Sequence, residues 1–159
     1  MPVIKIVTHI NAPLEIVFDL SRSIDLHKIS TAHTQEEAIA GKTSGLIGPG
    51  ESVTWRAKHF GIVQTLSSVI TEYEHPHHFT DVMISGAFAG FKHEHIFEHK
   101  GKMTVMTDIF DYTSPYKVLG RMADILFLKD YMQALLEKRN LIIKEFAEDS
   151  SKYKKVLPL

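Results

Sequence analysis

The chain has no cysteine among its 159 residues, which excludes disulfide staples and thiolate chemistry. Net charge is almost absent as well. The 18 basic and 19 acidic residues leave −1, so no electrostatic footprint for nucleic acid is expected. No stretch approaches the roughly 18 uninterrupted apolar residues of a membrane span. The opening MPVIKIVTHI lacks the basic region and long apolar run of a signal peptide. A cytoplasmic protein without a membrane span is therefore expected. Gly41-Lys42-Thr43 matches the end of a phosphate-binding loop, but Glu36 stands where that loop needs its first glycine. Without that backbone cradle a nucleotide site is excluded. No serine or cysteine nucleophile motif is present.

What the chain does have is ordinary globular chemistry: 44% apolar and 23% charged residues, enough for one domain with a real core. That domain is expected over 1–148, followed by a polar, fraying tail over 149–159. The ten histidines are unusual, and two of them fall in the most informative stretch, 91–112, FKHEHIFEHKGKMTVMTDIFDY. It reads as two strands folded back at Lys100-Gly101, with glycine supplying a positive φ. That turn sets Phe97 opposite Thr104, His95 opposite Met106, His93 opposite Asp108 and Phe91 opposite Phe110. Side chains alternate along a strand. One face then carries Phe91, His93, His95, Phe97, Met106, Asp108, Phe110 and Tyr112. The other carries Lys92, Glu94, Ile96, Glu98, Val105, Thr107, Ile109 and Asp111. The first face is aromatic, yet it holds two imidazoles and a carboxylate. Buried ionisable groups are costly unless paired or functional, so the search for a site starts there.

The rest of the chain supplies the frame. Residues 3–10 are rich in β-branched side chains and predict a strand. Asn11-Ala12-Pro13 then opens a short helix over 13–21, and Ser23 caps a second over 24–29. A weak strand is predicted at 35–40, followed by a glycine-rich flexible loop over 41–50. Residues 52–59 and 62–73 form a second hairpin around Phe60-Gly61. Its inner face holds Val53, Trp55, Ala57 and His59 opposite Ile62, Gln64, Leu66 and Ile70. A further strand at 79–84 turns Phe79, Asp81 and Met83 inward. Ser114-Pro115 caps a helix to about residue 147, roughly 50 Å long. Its stripe of Ile125, Leu128, Met132, Leu135, Leu136, Ile142, Ile143 and Phe146 encloses Arg139, which would point at the sheet. Between 118 and 128 the helix is apolar nearly all round, and Gly120 permits a bend.

Strand, two short helices, about six antiparallel strands and a long C-terminal helix is the helix-grip order, an α+β class. INAPLEIVFDL, VTWRAKHFG, FKHEHIF, MTDIFDYTSP and LGRMADILF resemble START-like, or SRPBCC, ligand-binding domains, in particular a bacterial polyketide cyclase/dehydrase-like branch. The resemblance covers nearly the whole chain. It implies a curved sheet of about seven strands wrapped around the helix, with a cavity for a small hydrophobic molecule such as a lipid, quinone or polyketide. The residues expected to meet that ligand are Trp55, Ala57, His59, Leu66, Asp81, Met83, Phe91, His93, His95, Phe97, Met106, Asp108, Phe110, Tyr112, Met132 and Arg139. His93 and Asp108 admit three readings: contacts to a ligand's polar group, a structural pair fixing the register, or an acid/base pair of a cyclase or dehydratase. A metal on His93 and His95 would need more ligands, with His59 and Asp81 the candidates. No metal and no cofactor are expected. The apolar start of the last helix could gate the cavity, touch a membrane, join a homodimer or lie buried beneath the early loops.

Overall fold

The computed structural model describes residues 2–158; Met1 and Leu159, the outer limits of the expected domain and tail, lie outside the described residues. β1 (Val3–Ile10) leads to α1 (Leu14–Ser21) and α2 (Ile24–Ser30), then a 3-10 turn (Ala32–Thr34) and β2 (Glu37–Gly41). β3 (Ser52–His59), β4 (Ile62–Glu74), β5 (His78–Ser85), β6 (Gly90–Lys100) and β7 (Met103–Thr113) follow as a run of strands. The chain ends in α3 (Lys117–Ala123), a π turn (Asp124–Leu128), α4 (Lys129–Ala147) and α5 (Ser150–Val156). All strands join one antiparallel sheet in the order β1-β7-β6-β5-β4-β3-β2. The 31 residues from α3 through α4 form one long helical rod against it.

Local chemistry explains the elements. Ser23 caps α2 by accepting from the Leu26 N–H at 3.1 Å, relieving one of the unpaired amides at a helix start. Asn11 does not cap α1; Pro13 occupies the cap position, with no side-chain bond. The β3–β4 turn is Phe60-Gly61, with φ of 52° and 76°, and sets His59 opposite Ile62 and Trp55 opposite Leu66. In β6–β7 the predicted register is two residues out. Gly101 (φ 65°) is the first of the two turn residues, so Lys100 pairs with Met103, His95 with Asp108 and His93 with Phe110. An even slip leaves every side chain on its expected face. The eight inner residues are all buried, and Asp108 is 0% exposed.

The C-terminal rod departs further from expectation. Ser114-Pro115 does not cap it. The helix starts at Lys117, after Tyr116 in the left-handed region (φ 64°), and the Ser114 hydroxyl donates to Asp124. At Gly120 a Cβ would overlap the Pro115 carbonyl, so glycine lets the helix lie against that turn. The irregularity is the π turn. Val118, Leu119, Ile125 and Leu126 are exposed, Ile125 by 84%, which removes the expectation that early loops bury this segment. The tail also differs. Asp149 caps α5 and Leu157 is buried in the core beside Tyr153 and Val156, so the segment is docked rather than frayed. Likewise the 41–50 loop is tied down, with Ile24 N–H bonded to Gly45 O, Ile47 N–H to Arg22 O, and Ile47 buried. Among the described residues no helix is long and apolar enough to cross a membrane.

Candidate functional site

Between the sheet and the rod lies a cavity of about 960 Å³. Its walls are mostly apolar: Trp55, Ala57, Leu66, Phe79, Phe91 and Phe110 from the strands, with Leu128, Met132, Leu135 and Leu136 from the helix. Polar groups gather at two places on this lining.

The inner group grows from three neighbouring strands and α4. β5 presents Asp81, β6 presents His93 and His95, β7 presents Asp108, and α4 presents Arg139 and Asn140. Asp81↔His93 and His95↔Asp108 are direct cross-strand partners, so the pleat itself brings the four groups together. His93 Nε2 donates to Asp108 Oδ1 at 2.9 Å, and His95 Nε2 donates to Asp81 Oδ2 at 2.9 Å. The second oxygen of Asp108 accepts from Asn140 Nδ2 at 2.7 Å. Arg139 Nη1 stands 3.6 Å from Asp108, while its Nη2 donates to the Ser21 carbonyl at 2.9 Å. His95 Nδ1 is the exception. It lies 3.1 Å from Asp108 Oδ1 but out of line, and it makes no hydrogen bond.

Charge follows from this geometry. Burial would raise both carboxyl pKa values, yet hydrogen bonds and charge from the imidazoles hold Asp81 below the ordinary range and Asp108 well below it. Burial favours neutral His95, but the two carboxylates outweigh it and raise its pKa. His93 goes the other way: burial and its charged neighbour His95 lower it despite Asp108. The carboxylates thus face the imidazoles and Arg139, and pairing of this kind is what lets buried charges be tolerated.

The outer group is built from separate elements. His27 of α2 and Glu36 before β2 pair at 2.9 Å, and the His27 ring lies 4.3 Å from that of Trp55. His59, at the end of β3, bonds through Nδ1 to the Tyr131 hydroxyl of α4 at 2.7 Å. Burial lowers the His59 pKa below its ordinary value. Burial alone would raise Glu36, but His27 brings it below. Phe60 packs on Phe127 and Tyr131 at the same end, with ring centroids 5.4 and 4.5 Å apart.

Of the expected ligand residues, Trp55, Ala57, His59, Leu66, Asp81, Phe91, His93, His95, Phe110, Met132 and Arg139 border the cavity. Met83, Phe97, Met106, Asp108 and Tyr112 stand behind its wall. Phe97 and Met106 are packed with α1 in the core, and Met83 packs beside Phe91. Tyr112 sends its hydroxyl to Asp124 at 2.9 Å, and burial followed by that carboxylate raises its pKa. Sequence reasoning missed His27, Glu36, Tyr131 and Asn140. Only Asn140 left a signal, lying four residues from Leu136 and three from Ile143 on the buried stripe.

An open antiparallel sheet gripping a C-terminal helix, with two short helices after the first strand, is the START-like helix-grip fold. Among solved structures the chain is similar to a START superfamily protein from Mycobacterium smegmatis, at 11% identity and a TM-score of 0.70, covering 92% of this chain and 97% of that one. It is similar also to a protein from Thermus thermophilus, at 18% identity and a TM-score of 0.70, covering 89% and 97%. Ginseng major latex-like protein 151 from Panax ginseng matches at 15% identity and a TM-score of 0.67, covering 93% and 98%. At these identities the likeness is one of fold. No protein-family model and no curated protein matches the chain.

Proposed function

We propose that the protein binds or carries a small hydrophobic molecule bearing a polar group. The observation that carries this reading is the cavity of about 960 Å³, walled by aromatic and aliphatic side chains with polar groups at two places. Such a pocket fits a drug-sized guest, whose burial supplies affinity while a few placed polar groups set orientation. At the inner end Arg139 offers donors to a carbonyl or carboxylate, and His93, whose Nε2–H is given to Asp108, offers Nδ1 as an acceptor to a hydroxyl. At the outer end the His59–Tyr131 and His27–Glu36 pairs offer a second polar contact. The proposed contacts are thus the wall residues together with His27, Glu36 and Tyr131.

The enzyme reading has a narrower basis. His93 Nε2 donates to Asp108, the pairing that orients an imidazole as a general base, and His93 borders the cavity. The buried network behind it serves a fixed polar anchor equally well, so binding is the function proposed. Native mass spectrometry and organic extraction of the freshly purified protein test it. One apolar compound per chain, or stoichiometric uptake from a panel of lipids, quinones and polyketides, is expected. Failure to retain any member of a broad panel would refute it.

A further inference from the structure

We infer that Asp81, His93 and His95 form a binding site for one divalent first-row transition ion, zinc or iron(II), opening into the cavity. One donor atom from each of the three residues lies within 4.8 Å of the others. Asp81 Oδ2 is 2.9 Å from His95 Nε2 and 4.0 Å from His93 Nδ1. An ion bound at about 2.1 Å from each donor spaces them roughly 3.0–3.4 Å apart. Side-chain rotations therefore close the set, on backbones fixed by the β5–β6 ladder.

The remaining nitrogens are what distinguish a built site from a chance cluster. Metal-ligating imidazoles direct their other N–H to a carboxylate or carbonyl, which fixes the tautomer. His93 already does so, from Nε2 to Asp108 Oδ1. His95 Nδ1, buried and without a hydrogen bond, stands 3.1 Å from that same oxygen. With an ion on Nε2, the His95 proton must reside on Nδ1, where a small turn of the ring brings it into line with Asp108. One carboxylate then serves both imidazoles, held in turn by Asn140 at 2.7 Å and Arg139 at 3.6 Å. Binding exchanges a proton for the metal: His95 gives up its Nε2 proton and keeps the one on Nδ1. Two imidazoles and one carboxylate suit zinc or iron(II), and they occupy one side of the ion only. The remaining coordination positions face the cavity that all three residues border, where a guest's oxygen could bind. A second cluster, Glu72, His78 and Glu94, is partly exposed on the outer face of the sheet, and its imidazole is already engaged through Nε2 with the Thr80 hydroxyl at 3.1 Å. The inference holds whatever guest the cavity takes.

The test is titration of chelator-stripped protein with zinc by calorimetry, and with cobalt(II) by visible absorption, without added organic ligand. One ion per chain is expected, with cobalt bands of nitrogen and oxygen coordination. Asp81→Asn and His93→Ala should each weaken binding at least about 100-fold, and Asp108→Asn about 10- to 100-fold. His78→Ala should leave it unchanged. If any variant fails to fold, imidazole ¹⁵N spectra of the unaltered protein decide. Zinc should shift His93 Nδ1 and His95 Nε2, leaving both opposite nitrogens protonated. Absence of stoichiometric binding, loss of binding in His78→Ala, or shifts confined to other histidines would overturn the assignment.

Discussion

The two polar ends of the cavity use similar residue types but are built differently. At the inner end the members sit on β5, β6, β7 and α4, and Asp108, His95 and His93 are 0%, 2% and 7% exposed. At the outer end His27–Glu36 and His59–Tyr131 are separate pairs, each joining different elements, and their side chains are partly open to solvent. Cross-strand geometry makes the first end a single network whose members depend on one another. The second is two local latches that can yield one at a time. The first is therefore expected to be rigid and the second adaptable.

The largest expected effect comes from Asp108→Ala. It strips the carboxylate shared by His93, Asn140 and Arg139 and leaves buried cations uncompensated, costing about 3–5 kcal/mol of stability in urea unfolding. At the outer end Glu36→Gln and Tyr131→Phe should each cost no more than about 1.5 kcal/mol, because each removes one partly exposed hydrogen bond. Comparable costs at the two ends would erase the contrast. Hydrogen exchange sharpens it further: amides of β6 and β7 should be protected, whereas those of 117–128, with Ile125 and Leu126 exposed, should exchange faster. Equal protection would show 117–128 to be as rigid as the anchor.

The smallest effect is a pH dependence at the outer end. His59 has a folded pKa below its ordinary 6.5, so the unfolded chain takes up that proton first. Its contribution is intact above pH 6.5 and erodes as pH falls below that value. Glu36 has a folded pKa below its ordinary 4.5, so its contribution is present above pH 4.5 and is lost on further acidification. Both act in the same direction. Stability measured by denaturation should decline from about pH 7.5 to about pH 5 less steeply in His59→Gln than in the unaltered protein. An identical slope would remove His59 from the account.

How much of this was legible depended on periodicity. Alternation along β6 and β7 placed His93, His95 and Asp108 on one inner face, since facing survives any even slip of register. The register itself was missed because Lys100-Gly101-Lys102 admits the turn glycine in either central position. α5 was missed because Tyr153, Val156 and Leu157 are interspersed with lysines, and only docking beside α1 reveals them as core. The outer group left no pattern at all. His27 and Glu36 are joined through a 3-10 turn, and His59 meets Tyr131 across 72 positions of sequence. Such pairings belong to tertiary packing, which no local spacing encodes.

The most direct measurement is titration of a fluorescent apolar probe against the unaltered protein and Ala57→Trp. Ala57 is buried on the cavity wall, and an indole there would occupy the space a guest needs. Saturable binding of one probe per chain, lost or weakened at least about tenfold in a folded Ala57→Trp variant, is the predicted result. Binding unchanged by the filled wall, or never saturating, would contradict a guest held between sheet and helix.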